Sequence, residues 1–214
     1  SILTHDEMEL GVGLIDIGGG TTEVAIFERG SLWYTSVIPI GGDNFTNDIA
    51  VGLRTPIPDA EEIKKKFGCV SHPRVDERDT IEVPTVGRGK KPRVLSRQLL
   101  ADIIHPRAEE IFRLVDNDIK RMGYEKSLNS GIVITGGTAL LDGLEEVAEE
   151  IFDLPVRRGD PSGVGGLVDR VGTPDFATTV GLIQYGYNLY REKGLPRDRK
   201  KGFWSKFKDW LKEA

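Results

Sequence analysis

The residues of this chain best placed to do chemistry are Asp16-Ile17-Gly18-Gly19-Gly20-Thr21-Thr22. Apolar Val12, Leu14 and Ile15 lead into three consecutive glycines, and Val24, Ala25, Ile26 and Phe27 lead out. A glycine turn between two buried strands presents backbone N–H groups with no side chains in front of them, and such groups can cradle phosphate. Asp16, at the end of the entering strand, places a carboxylate where a metal or its water would stand beside that phosphate. Thr21 and Thr22 add hydroxyls. Three glycines also describe the tip of an ordinary β-hairpin, so the rest of the chain must decide.

Two further groups of residues qualify. Gly136-Gly137-Thr138 follows the apolar run Ile132-Val133-Ile134-Thr135, a strand-to-helix turn whose glycines would let a ligand approach the backbone. Glu61 and Lys64 lie three apart on a predicted helix and share a face, with Lys65 beside them. Taken singly, the first is a common turn and the second a common solvated face. His5, His72 and His105 are scattered without metal-ligand spacing, and Cys69 has no partner of the kind nucleophilic catalysis needs.

The elements that must position these residues follow from pattern and breakers. Residues 12–17, 22–28 and 32–38 read as a three-strand meander, with Gly30 supplying a positive φ in the second turn. A helix is predicted over 44–53. A second is predicted over 60–67, with Asp59 as N-cap and Gly68 as its stop. Short strands are expected at 80–83 and 93–95. Ser96 then caps a long helix whose apolar residues, Leu99 to Ile119, follow helical spacing, with a kink or break expected near His105 because Pro106 lies inside it. Helix 139–152, strand 155–158, a glycine-rich loop over 159–172 and helix 173–190 complete the body.

In this order and spacing, strand–glycines–strand, Gly41-Gly42-Asp43, Glu61 to Lys65 and strand–Gly136-Gly137–helix resemble the actin-like ATPase superfamily, in its second half only. Three features narrow the resemblance to the FtsA family of bacterial cell-division proteins. They are Glu82-Val83-Pro84-Thr85-Val86-Gly87 with Lys91-Pro92-Arg93, then Ile104-His105-Pro106-Arg107-Ala108-Glu109-Glu110, and a charged linker before a terminal amphipathic stretch.

The resemblance implies an α/β, ribonuclease H-like fold. Residues 1–53 and 129–192 would form subdomain 2A, 54–128 subdomain 2B, 193–202 a linker, and 203–214 a membrane-targeting helix. It implies an ATP and Mg2+ site built from Asp16, Gly18, Gly19, Gly20, Thr21, Thr22, Glu61, Lys64, Lys65, Gly136, Gly137 and Thr138, with Asp16 acting through a metal-bound water. Hydrolysis is expected to be weak or absent. It further implies an adaptor that tethers the FtsZ ring to the cytoplasmic face of the membrane at the septum, with the FtsZ C-terminal tail received around Arg93, Arg107 and Glu110. Self-association into actin-like filaments and contacts with other division proteins follow from the same likeness. The alternatives are a catalytic actin-fold ATPase or small-molecule kinase fragment, or a relative serving shape determination or pilus assembly. The first Ser, in place of Met, and the half-superfamily match suggest part of a longer protein.

Composition fits this reading. The chain has 214 residues and a net charge of −5, but residues 191–214 carry +5 and the rest −10. An acidic body argues against nucleic acid as a partner, and a basic tail points to an anionic surface. One cysteine allows no internal disulfide and suits a reducing compartment. No apolar run is long enough to span a bilayer. At about 100° per residue, Phe203, Trp204, Phe207, Trp210 and Leu211 fall on one face of a helix, with Lys206 and Lys208 on the remainder. That pattern suits the headgroup boundary of an anionic membrane.

Overall fold

The structure is a computed structural model that describes residues 1–87, 91–163, 165 and 168–193. The stretch 203–214, read above as an amphipathic helix, lies outside the described residues, as does most of the linker before it.

Thr4 opens the first helix, α1 (His5–Leu10), with a capping box: the Glu7 N–H donates to Thr4 Oγ1 and the Thr4 N–H donates to Glu7 Oε2. The elements expected from sequence begin at residue 12 and pass over this Thr-x-x-Glu signal. Strands β1 (Val12–Ile17), β2 (Thr22–Glu28) and β3 (Ser31–Ile38) then form the expected antiparallel meander. The turn between β2 and β3 uses positive φ at both Arg29 and Gly30.

Helices α2 (Gly42–Leu53) and α3 (Ile57–Phe67) follow. α3 begins two residues before Asp59, with Pro56 as N-cap and Pro58 in the first turn. Proline already has a helical φ there, and its missing N–H is not needed. Asp59 therefore lies inside the helix, where its charge still complements the N-terminal dipole. A β4 (Thr80–Val83) and β5 (Arg93–Ser96) hairpin stands apart as a two-stranded sheet.

Helix α4 (Arg97–Arg121) starts at Ser96, whose hydroxyl accepts from the Gln98 N–H. It runs 25 residues through Pro106 as one helix, so of the kink or break expected near His105 the break does not occur. Leu100, Ile104, Ala108, Ile111, Phe112, Val115 and Ile119 are buried along one stripe on both sides of the proline. Each large side chain among them gains about 1.5–3 kcal/mol by leaving water, which outweighs the single hydrogen bond that Pro106 removes.

Strand β6 (Ile132–Thr135) pairs parallel with β1, and β7 (Val156–Arg158) pairs parallel with β6, giving a five-stranded sheet in the order β3-β2-β1-β6-β7. All four residues of β6 are buried, as a central parallel strand requires. After β6 a 3₁₀ turn (Gly137–Leu140) precedes α5 (Leu144–Phe152), so that helix starts later than expected. The glycine-rich loop contains a single helical turn, α6 (Val168–Val171), and α7 (Ala177–Lys193) closes the described chain. The core lies on the face of the sheet covered by α2, α4 and α5. There Ile15, Ile17, Val24 and Ile26 meet Phe45, Ile49, Ile104 and Phe112.

Candidate functional site

The glycine turn after β1 is built into the structure by its carbonyls. The N–H groups of Gly42 and Asp43, at the start of α2, donate to Gly18 O (2.8 Å) and Gly19 O (2.7 Å), and Thr138 Oγ1 donates to Gly18 O (3.2 Å). Within the turn the Gly18 N–H donates to Thr21 O. A Cβ on Gly41 would stand 2.6 Å from Gly19 O, so only glycine allows α2 to begin this close to the turn. Gly136 has φ +88°, and a Cβ there would stand 2.4 Å from an Asp16 carboxylate oxygen, which locks the two glycine turns together across β1 and β6.

A cavity of about 450 Å³ opens beside these turns. Seven of the residues singled out from sequence line it: Gly18, Gly19, Glu61, Lys64, Lys65, Gly137 and Thr138. Gly20, Thr21, Thr22, Gly136 and Asp16 do not. The Thr22 hydroxyl is buried and donates to Ile40 O. A Cβ on Gly20 would meet open space. Asp16 faces the other side of the sheet, because side chains alternate along β1. Its Oδ2 accepts from Thr178 on α7 at 3.0 Å, and it lines a separate cavity with Met8, Leu14 and Phe27.

Sequence reasoning missed Asp43 and Asp175, the two other carboxylates of the 450 Å³ cavity, and Leu140 and Leu141, its apolar wall. Asp43 could have been found, since it closes the quoted Gly41-Gly42-Asp43 and occupies the first turn of α2. Asp175 follows a glycine-rich loop and carried no signal.

Glu61 and Lys64 are tied to the protein itself. Lys64 is 9 % exposed, and its ammonium donates to Gly42 O (2.9 Å) and Thr46 Oγ1 (2.8 Å) and pairs with Glu61 Oε2 (2.7 Å). Three donors thus meet three acceptors. Burial disfavours the charged Glu61 carboxylate, but hydrogen bonds from Lys64 and Thr46 outweigh it, and its pKa is lowered to about 2. Lys65 is exposed and reaches Glu61 Oε1 at 3.2 Å.

The other three candidates gather around the far half of α2. Arg107 on α4 donates from Nε and Nη2 to the two oxygens of Asp48 (2.7 and 3.1 Å) and pairs with Glu110 as well. The hydrogen bond to Asp48 is the main cause holding the guanidinium charged, above its already high pKa. Arg93 donates from Nη2 to Leu53 O at the end of α2. A groove of about 450 Å³ runs between α2 and α4 here, with Val51, Gly52, Ile103 and Pro106 as its apolar lining. Arg93 does not line it.

Among the described residues no helix is long and apolar enough to cross a membrane, and no group of three or more His, Cys, Asp or Glu is arranged to hold a metal.

The sheet order, the two glycine turns and the helix between them define an actin-like protein. The fold of MreB5 from Spiroplasma citri bound to ADP covers 89% of this chain and 57% of its own, with a TM-score of 0.68 and 21% identity. The family model of cell division protein FtsA matches residues 13–181. The cell division protein FtsA of Pseudomonas aeruginosa is 53% identical over 186 residues, which cover 87% of this chain and 44% of that protein. The Bacillus subtilis FtsA is 40% identical over 201 residues, covering 94% of this chain and 43% of that protein. The chain belongs to the FtsA family of actin-like cell-division proteins. It spans about half the length of the curated relatives it matches.

Proposed function

We propose that this chain forms one wall of an ATP site in a division adaptor that ties the FtsZ ring to the membrane. The carrying observation is the cavity walled by the Gly18-Gly19 turn, the start of α2, Glu61, Lys65 and the Gly137-Thr138 turn. Its glycines leave room for phosphate, and Leu140 and Leu141 offer an apolar surface to a base. MreB5 of this fold is bound to ADP in one structure and to AMPPNP in another, which supports a nucleotide here.

The donor set fits such a ligand. Glycine-turn N–H groups suit phosphate oxygens, Lys65 and the second oxygen of Glu61 suit ribose hydroxyls, and Asp43, rather than Asp16 on the other side of the sheet, suits the waters of a Mg2+ ion. A bound Mg2+ would neutralise phosphate charge. Lys64 holds α2 and Glu61 in place.

The groove between α2 and α4 is the proposed seat of the FtsZ tail, lined by Arg107, Glu110 and apolar Val51, Ile103 and Pro106, with Arg93 outside it on the last carbonyl of α2. Residues 203–214 are the proposed membrane anchor, supported by the aromatic stripe and the basic linker. The division into subdomains 2A and 2B, filament formation and septal placement belong to the same proposal. The family match favours division over shape determination, pilus assembly or small-molecule kinase chemistry.

The test of the nucleotide site is a thermal-shift titration of the chain with MgATP at millimolar concentration, for the unaltered protein and Gly19→Val. A Cβ at Gly19 meets only ordinary contacts, the nearest being Asp43 Oδ1 at 3.5 Å, so the fold should tolerate valine while its methyls enter the cavity. Stabilisation by MgATP that is lost in Gly19→Val is the expected result. No stabilisation, or equal stabilisation in both, refutes the site.

A further inference from the structure

Strand β3 is an outer edge of the five-stranded sheet, with β2 on one side only. The register tells which of its backbone groups face outward. The Gly18 N–H donates to Thr21 O at the end of the β1–β2 ladder, and the Gly13 N–H donates to Gly131 O on the β6 side. Bonded and non-bonded pairs alternate along an antiparallel ladder. Asp16 and Leu14 therefore bond to Glu23 and Ala25, and Thr22, Val24 and Ile26 bond to their β3 partners Ile38, Ser36 and Tyr34. Thr35 and Val37 turn their N–H and C=O groups away from the sheet. Among the described residues nothing bonds to them.

Edge strands commonly carry lysine, proline or inward charges that stop another chain from pairing with them. Residues 31–38 hold no charged residue and no proline, and Val37 is 62 % exposed. The one irregularity of the β2–β3 ladder, at Ile26 and Phe27, lies towards the start of β3 and leaves Tyr34 to Ile38 regular.

A groove of about 430 Å³ runs beside this edge, between β3 and α4. Ile38, Pro39 and Leu114 supply apolar surface, and Asp118 and Arg121 supply charge. The two charges are not equally accessible. The Asp118 side chain is 12 % exposed, with Oδ2 accepting from Tyr34 Oη (2.8 Å) and Ser36 Oγ (2.7 Å) and Oδ1 accepting from Arg121. Arg121 donates to it from Nη2, and its side chain is 74 % exposed. A chain entering the groove thus meets a guanidinium, while the carboxylate is already occupied.

We infer that β3 and this groove receive an extended peptide segment of another protein, which adds to the sheet as a sixth strand and sets an acidic side chain against Arg121. Thr35 and Val37 supply the backbone bonds that hold such a segment. Alternate side chains of the segment face α4, where Leu114 and Ile38 favour an apolar residue and Arg121 a carboxylate. A second copy of this chain is the poorer occupant, because its β3 brings no carboxylate to Arg121. The site has no lining residue in common with the nucleotide cavity or with the α2–α4 groove.

The test selects twelve-residue peptides from a random displayed library on the immobilised full chain. Each enriched peptide is then labelled and titrated against the unaltered chain, Val37→Pro and Arg121→Gln. The Val37 N–H faces outward, so proline removes no ladder bond there and Tm should change little. The enriched peptides should alternate apolar residues and carry Asp or Glu. Val37→Pro should raise their Kd about ten-fold or more, by removing an edge donor and placing a ring in the path of the added strand. Arg121→Gln should raise it about two- to five-fold. Hydrogen exchange of the unaltered chain should show the Thr35 and Val37 amides slowed by the peptide.

Failure to enrich any peptide, or enriched peptides that bind Val37→Pro as tightly as the unaltered chain, overturns the inference. Unchanged affinity for Arg121→Gln overturns the acidic recognition. Should Val37→Pro fold poorly, exchange decides, and unslowed Thr35 and Val37 amides overturn the added strand. An unaltered chain that dimerises while Val37→Pro stays monomeric assigns the edge to a second copy and overturns the partner segment.

Discussion

Replacing Lys64 with methionine isolates the contribution of the buried ammonium beneath the cavity. The side chain is 11 % exposed, and its three hydrogens are all used, on Gly42 O, Thr46 Oγ1 and Glu61 Oε2. Methionine fills most of the space but removes the three hydrogens, leaving the Thr46 hydroxyl as the neighbouring donor for Glu61 Oε2 and Gly42 O. Breaking a buried ion pair from one side costs about 3–5 kcal/mol when the remaining charge stays buried. Here Glu61 is 31 % exposed and keeps Lys65 as a partner, so water recovers part of that loss. The expected cost is about 2–4 kcal/mol, read as a drop in the midpoint of urea unfolding. Lys65 is the internal control, because its side chain is 63 % exposed and its ammonium pairs with the same carboxylate. Lys65→Met should cost no more than about 1 kcal/mol. The double variant Glu61→Gln/Lys64→Met should lose less than the two single losses combined, since it leaves no unpaired charge. Equal costs for Lys64→Met and Lys65→Met would refute the role of Lys64 as a strut.

The low pKa of Glu61, about 2 against an ordinary 4.5, gives a pH signature. Its charged form is favoured by folding, so its contribution is complete above pH 4.5 and declines as pH falls towards 2. The difference in Tm between the unaltered chain and Glu61→Gln should shrink over that interval; a constant difference would contradict it. At the groove, Arg107→Glu would set a carboxylate against Asp48 and confuse folding with binding, so the cleaner probe is Val51→Asp, at a side chain 78 % exposed. This change should weaken FtsZ-tail binding about ten-fold with little change in Tm, and unaltered affinity would remove the groove as the seat. For the tail, co-sedimentation with anionic vesicles should be strong for the full chain, lost on truncation after Lys201 and weakened by Trp210→Glu. Equal behaviour of all three would refute the anchor.

Most of the sheet was legible because β1, β2, β3 and β6 carry apolar runs bounded by glycine, and both turns that build the cavity interrupt such runs. What escaped was set by contacts distant in sequence. Pro106 predicts a break only if α4 stands alone, whereas packing on both sides of it keeps the helix whole. Asp16 stands two residues before the glycines in sequence, but strand alternation turns it towards Thr178, 162 residues away. Lys64 reads as a solvated charge until α2 is folded over it. α1 was an oversight of a different sort, since Thr4 and Glu7 are local and sufficient.

The central pairing of the sheet joins residues made far apart in time. Ile15 of β1 lies opposite Ile134 of β6, 119 residues later in the chain. At roughly 5–20 residues per second, a ribosome would need about 6–24 s to supply that partner. During that interval β1 has only β2 as a neighbour, and one long edge of a hydrophobic strand stands open. The local meander and the α2–α3 pair can form at once, but the five-stranded sheet cannot. Closing a loop of this length makes the β1–β6 pairing the natural slow step of folding and the point at which a chaperone would act on the nascent chain.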